Sequence, residues 1–108
     1  MSFKAYTIPS FDKQLKRLAG KYPSLASEYT DLITSLEADP TQGTSLGRGC
    51  YKVRLAIASK GKGKSGGARV ISYVKVVKES VYLLSIFDKS EQEAITKEQL
   101  TALLRELE

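Results

Sequence analysis

Lys52, Arg54 and Arg69 belong to a set of nine basic residues between Pro40 and Lys78, a segment with no Asp or Glu. The other six are Arg48, Lys60, Lys62, Lys64, Lys75 and Lys78. The rest of the chain holds eight bases against twelve acids, so the net charge of +5 is unevenly spread. A segregated positive field points to a polyanion, with nucleic acid the first candidate. The chain has no His and a single cysteine, Cys50. A Cys–His nucleophile is therefore excluded, and so is a zinc site of the usual ligand types. No metal and no cofactor are expected. Chemistry on RNA or a phosphodiester would have to run on Lys, Arg, Tyr or carboxylates.

These side chains need a scaffold, and 108 residues fit a single domain over 1–108. The hydrophobic content of 42% is enough for a real core. The opening MSFKAYTIPSF has neither a charged n-region nor a long apolar run, so no signal peptide is expected. No apolar run is long enough to span a bilayer. A lone cysteine suits a reducing compartment, and a cytoplasmic protein is the expectation.

Phe3–Ile8 reads as a first strand, stopped by Pro9, with Ser10 a helix N-cap. Phe11, Leu15 and Leu18 follow at helical spacing up to Gly20. Ser24 caps a second helix whose stripe is Leu25, Tyr29, Leu32, Ile33 and Leu36, closed by Asp39-Pro40. Residues 41–48 read as loop. Tyr51–Ser59, Ala68–Val77 and Ser80–Phe87 read as strands, with Lys78-Glu79 a tight connection. Ser90/Glu93 and Thr96/Gln99 are capping-box patterns, and Leu100, Leu103, Leu104 and Leu107 give a last apolar helix face. The expected fold is α+β: a small antiparallel sheet on an N-terminal helical hairpin, in the order β-α-α-β-β-β-α. The last helix would cover part of the other face or an edge, which fits Tyr82, Leu84 and Ile86 if they share the basic face.

If the Gly/Lys loop joins an antiparallel pair, Lys52 falls opposite Lys75, Arg54 near Tyr73, and Ala58 near Arg69. Alternation then puts Val53, Leu55, Ile57, Val70, Val74 and Val76 on the core face. Lys52, Arg54, Arg69, Tyr73 and Lys75 share the other face. A single lysine on a solvent face is ordinary and discourages edge pairing. Four cations together repel one another unless an anion sits among them. The run Lys60-Gly61-Lys62-Gly63-Lys64-Ser65-Gly66-Gly67 ends like a phosphate-binding P-loop. Its first glycine position holds Ala58, and a strand rather than a helix follows, so it reads as a flexible loop gripping a phosphate backbone. Cys50 reads as a strand-edge packing residue. Of Tyr51, Tyr73 and Tyr82, each able to stack on a base, Tyr73 is the one placed beside the cations.

The run Gly49-Cys50-Tyr51-Lys52-Val53-Arg54-Leu55, followed by GKGKSGGARVISYV and VYLLSIFDKSEQEAI, resembles the RelE-superfamily toxins of bacterial type II toxin–antitoxin modules. It looks most like the HigB branch, and the resemblance covers nearly the whole chain. It implies a ribosome-dependent messenger-RNA endonuclease acting in the A site, where the 2′-hydroxyl attacks the adjacent phosphate. It implies catalytic roles for Lys52, Arg54, Arg69 and Lys89; the basic segment itself points to RNA binding by Arg48, Lys60, Lys62, Lys64, Tyr73 and Lys75. It also implies a cognate antitoxin, HigA-like with a helix-turn-helix, besides the ribosome and mRNA. Family members with a tyrosine near the start of the terminal segment use it in proton transfer; this chain has no Tyr near Ile95. Lys52 is then the base candidate, since crowding by like charge favours the neutral amine. Arg54 and Arg69 would clamp the phosphate, and Lys89 would neutralise charge or donate a proton. A ParE-like gyrase poison and a non-catalytic RNA- or ribosome-binding module are the alternatives.

Overall fold

Pro9 opens a helix as well as ending a strand. Its fixed φ suits the first helical turn, and α1 runs Pro9–Lys21 with Ile8 as N-cap. Ser10, expected as the cap, lies inside that turn and donates its hydroxyl to Glu106. Ser24 does precede α2 (Leu25–Ala38), but its hydroxyl bonds Glu28 and Ser59 rather than a helix N–H. The apolar stripes turn inward, burying Phe11 and Leu18 from α1 and Leu25, Leu32 and Leu36 from α2. This computed structural model describes residues 3–60 and 67–107.

Five strands follow the order β1-β5-β4-β3-β2 across one sheet: β1 Lys4–Thr7, β2 Thr44–Gly47, β3 Cys50–Leu55, β4 Ala68–Lys75 and β5 Ser80–Asp88. The fold is α+β as expected, with two refinements. The segment expected as loop contains β2, a four-residue edge strand with only Leu46 half-buried. β1 pairs parallel to β5, so the sheet is mixed. β3 ends at Leu55 and the chain enters a tight helical turn at Ala58–Lys60, where strand was expected through Ser59. β4 ends at Lys75, and Val76, expected in the core, is 68% exposed.

Leu84 forms a bulge, because Ile71 pairs Ser85 while Ser72 pairs Leu83. A bulge reverses the alternation beyond it. Tyr82 therefore lies across from Tyr73 and Ile86 across from Val70, on opposite faces rather than the one expected. Both open stretches at the β1 side are closed by groups of the two N-terminal helices. Ala5 N–H donates to the Glu37 carboxylate (3.1 Å) and Phe3 N–H to the Glu37 carbonyl (2.9 Å). Beyond β1, Ile86 N–H donates to Gln14 Oε1 (3.1 Å). Such covering blunts an edge.

α3 (Lys97–Arg105) starts with the expected capping box: Gln99 N–H to Thr96 Oγ1 at 3.0 Å, Thr96 N–H to Gln99 Oε1 at 2.9 Å. The Ser90/Glu93 pattern starts no helix; Ser90 turns back onto Asp88. Val53 and Leu55 share a cleft with α2, whereas Tyr73 shares one with α3, so the helices cover opposite sheet faces. No helix among the described residues is long and apolar enough to cross a membrane.

Candidate nucleic-acid interface

Gly67 sets the register of the β3–β4 hairpin. A Cβ there would come within 2.1 Å of the Leu55 carbonyl oxygen, so only glycine lets the strands close at Leu55↔Ala68. From that closure Arg54 falls directly opposite Arg69, Lys52 opposite Ile71, and Cys50 opposite Tyr73. The expected register differs by four residues, because β3 stops at Leu55 instead of continuing to Ser59. Four is even, so the face assignment survives while the cross-strand partners change. Lys75 does not lie across from Lys52, and Tyr73 does not lie beside Arg54.

Arg54 is exposed and Arg69 is 4% exposed. Opposed side chains on neighbouring strands have Cβ atoms about 5 Å apart, and like charges so placed destabilise. Burial first, and then the charge of Arg54, lower the pKa of the Arg69 guanidinium from its ordinary value. An arginine stays charged regardless. Arg69 Nη1 donates to the Ala68 carbonyl at 3.1 Å. Lys52, half-buried, lies on the same face one pair along.

The roots of the Gly/Lys loop converge on Asp88, a fully buried carboxylate that the sequence reading passed over. Lys60 forms an ion pair with it. Tyr22 donates its hydroxyl at 2.6 Å, and Ser90 donates its N–H at 2.9 Å and its hydroxyl at 2.8 Å. Burial pushes the Asp88 carboxyl up, but the bonds from Lys60, Tyr22 and Ser90 outweigh it and hold the group well below the usual carboxylate range. On the other side of the loop, Lys89 N–H donates to the Gly67 carbonyl (3.1 Å), placing half-buried Lys89 at the Arg69 end of the sheet. Lys60, expected to grip phosphate, has its ammonium on Asp88. Lys62 and Lys64 lie outside the described residues.

Arg48, Tyr73 and Lys75 come together at the opposite end of the strands. The β2–β3 turn holds Gly47, Arg48 and Gly49 all at positive φ (81°, 58° and 79°). Arg48 Nη1 donates to Thr101 Oγ1 of α3 at 2.8 Å. Arg48, Tyr73 and Lys75 then line a cleft with Thr101, Leu104, Arg105 and Leu107. The Tyr73 ring stacks on Tyr82 at 6.2 Å, and Tyr82 on Tyr6 at 5.5 Å. Tyr51, paired with Ser72, has the opposite parity. Cys50 is buried, which pushes its thiol pKa up. Among the described residues no His/Cys/Asp/Glu cluster could hold a metal ion.

The predicted site residues are thus brought together as two groups. Lys52, Arg54, Arg69 and Lys89 occupy one end, and Arg48, Tyr73 and Lys75 the other. At the first end Arg54 and Arg69 oppose each other across the hairpin with Lys52 on the same face, and Arg54 also lines a cleft with Glu28 and Asp31 of α2.

Known proteins of similar fold are bacterial toxins. E. coli RelE, as a double arginine-to-alanine mutant in the free state, superposes with a TM-score of 0.67 at 15% identity, both chains being covered in full. The isolated E. coli RelE toxin gives 0.57 at 17% identity, again over the full length of both. The toxin–antitoxin complex RelBE2 from Mycobacterium tuberculosis gives 0.61 at 16% identity, over 82% of this chain and 92% of that one. At such identities the likeness is one of fold. Sequence carries the family: residues 12–107 match the one described as "RelE toxin of RelE / RelB toxin-antitoxin system". With nearly its whole length inside that match and the strand order to go with it, this chain belongs to the RelE toxin family.

Proposed function

We propose that this toxin cuts messenger RNA on the translating ribosome. The observation that carries the reading is the direct opposition of Arg54 and Arg69, one of them buried. Two guanidinium groups on opposed strand positions suit a phosphate, to which both can donate. In the proposed reaction Lys52 takes the proton from a 2′-hydroxyl, whose oxygen attacks the adjacent phosphorus. Arg54 and Arg69 stabilise the charge that develops on the phosphoryl oxygens. The bond to the 5′-oxygen breaks, Lys89 supplies its proton, and a 2′,3′-cyclic phosphate remains. The site has no His, so positioning by the ribosome would supply much of the rate. A cognate antitoxin is part of this reading, supported by the solved RelBE2 complex of a related fold; a HigA-like helix-turn-helix protein is the form the sequence suggests.

Single-turnover cleavage on programmed ribosomes tests it. Arg54→Ala should slow the cut about a hundredfold, the loss of roughly 3 kcal/mol of transition-state stabilisation. Arg69→Lys keeps the charge but not the two-pronged geometry and should also cut poorly. Codon-phased cleavage at the parental rate by a folded Arg54→Ala/Arg69→Lys protein would overturn the assignment. Intact RNA with ribosomes bound by the parental chain would point to a non-catalytic binder. Intact RNA with stalled replication would point to a gyrase poison.

A further inference from the structure

We propose that the cleft between α3 and the Tyr73 end of β4 is a second RNA site, taking the phosphodiester backbone of a single strand with one base on Tyr73. It rests on the ribosome-directed function proposed above and adds a place of contact separate from the cleavage clamp. Four residues of β4 separate Arg69 from Tyr73, about 13 Å of strand, and Ile71 between them is fully buried. Clamp and cleft are therefore distinct cationic places on one sheet face.

Three features of the cleft converge on a nucleotide. First, Arg48, Lys75 and Arg105 line it, and among the described residues no carboxylate does. They come from a turn, a strand end and a helix end, so neither a helix period nor a strand period accounts for the cluster. Second, Arg48 adopts φ 58° between two glycines that are also at positive φ. A non-glycine residue in that region carries backbone strain, which persists where the surroundings impose it. The strained turn delivers the guanidinium to Thr101 of α3 at 2.8 Å, at the wall of the cleft. Third, the floor includes the half-exposed Tyr73 ring, backed by Tyr82 and then Tyr6 in a continuous stack across three strands. Gly49 also lies against the ring, where a Cβ would come within 3.1 Å of it, so the ring is fixed in place. Its exposed part can meet a base, and the cations beside it suit the flanking phosphates. An acidic peptide would use the cations but has no need of the flat ring, so RNA is the occupant the geometry favours.

The test compares the parental chain with a Lys75→Glu/Arg105→Glu variant, both residues being exposed, and with Tyr73→Leu. Binding is measured against a twelve-nucleotide single-stranded RNA and against programmed ribosomes, each over a salt series. Charge reversal should weaken binding at least tenfold and reduce the slope of log K on log salt by about 1.4, the share of two phosphates on a single strand. Tyr73→Leu should weaken binding with the slope unchanged. Loss on both probes identifies the occupant as message-like single strand; loss on ribosomes alone identifies ribosomal RNA. Either supports the site. Parental affinity of the folded variants for both probes would overturn it while leaving the clamp untouched. The same holds if charge reversal abolishes only capture of the cognate antitoxin, which would make the cleft an acidic-partner site. A parental chain that binds neither probe would instead sink the proposed function itself.

Discussion

Arg69 is a buried cation between Ala68 and Val70 in β4. Arg69→Met, apolar and of similar length, removes the guanidinium and should abolish cleavage. Single-turnover cleavage on programmed ribosomes checks this; a folded Arg69→Met protein that cuts at the parental rate would take Arg69 out of the site. Asp88 is a buried anion. Its bonds to Lys60 and Tyr22 join segments distant in sequence, and Ser90 adds two local ones. Asp88→Asn should cost about 3 kcal/mol, because the buried ammonium of Lys60 loses its counter-charge. The folded-state pKa of Asp88 lies below that of the unfolded chain. Its contribution is thus present above about pH 4 and lost as pH falls further toward the folded-state value. Denaturation curves from pH 7 down to pH 3 should show an acid limb that is shallower in Asp88→Asn than in the parent.

At the scale of elements, what could be read from sequence was what repeats locally. α2 showed itself through Leu25, Leu32 and Leu36, and α3 through a capping box that the structure forms as drawn. That box supports a helix of only nine residues, too short to persist without tertiary help. Thr96→Ala should cost about 1 kcal/mol and speed amide exchange in α3 more than in α1; equal protection in both proteins would show that packing alone holds α3. β2 escaped because four residues with one half-buried side chain carry no period. The Lys52/Arg54/Arg69 face was legible because alternation fixes parity. The partners across the hairpin were not, because they depend on where β3 stops and on the close approach at Gly67. The same lost register split the expected patch, sending Tyr73 and Lys75 to α3. Asp88 was illegible for a different reason: Lys60 and Tyr22 meet it only in the folded chain.

Across the whole molecule, the acid-free segment from Pro40 to Lys78 runs through β2, β3 and β4, so charge segregated in sequence is also concentrated at one side of the sheet order. If about four phosphates are contacted, affinity for programmed ribosomes should fall roughly fifty-fold between 50 and 200 mM salt. A salt-insensitive affinity would mean that the basic strands do not face RNA. The sheet order has another consequence, in time rather than space. β1 is the first strand synthesised and pairs with β5, the last, seventy-six residues later. At bacterial elongation rates that separation is about 4–15 s, and β4 too must wait for β5 before its second edge is satisfied. Every nascent copy therefore spends seconds as an open sheet without the strand that joins β1 to β4. Under the proposed function, a protein that attacks translation cannot close its own sheet until translation has delivered β5.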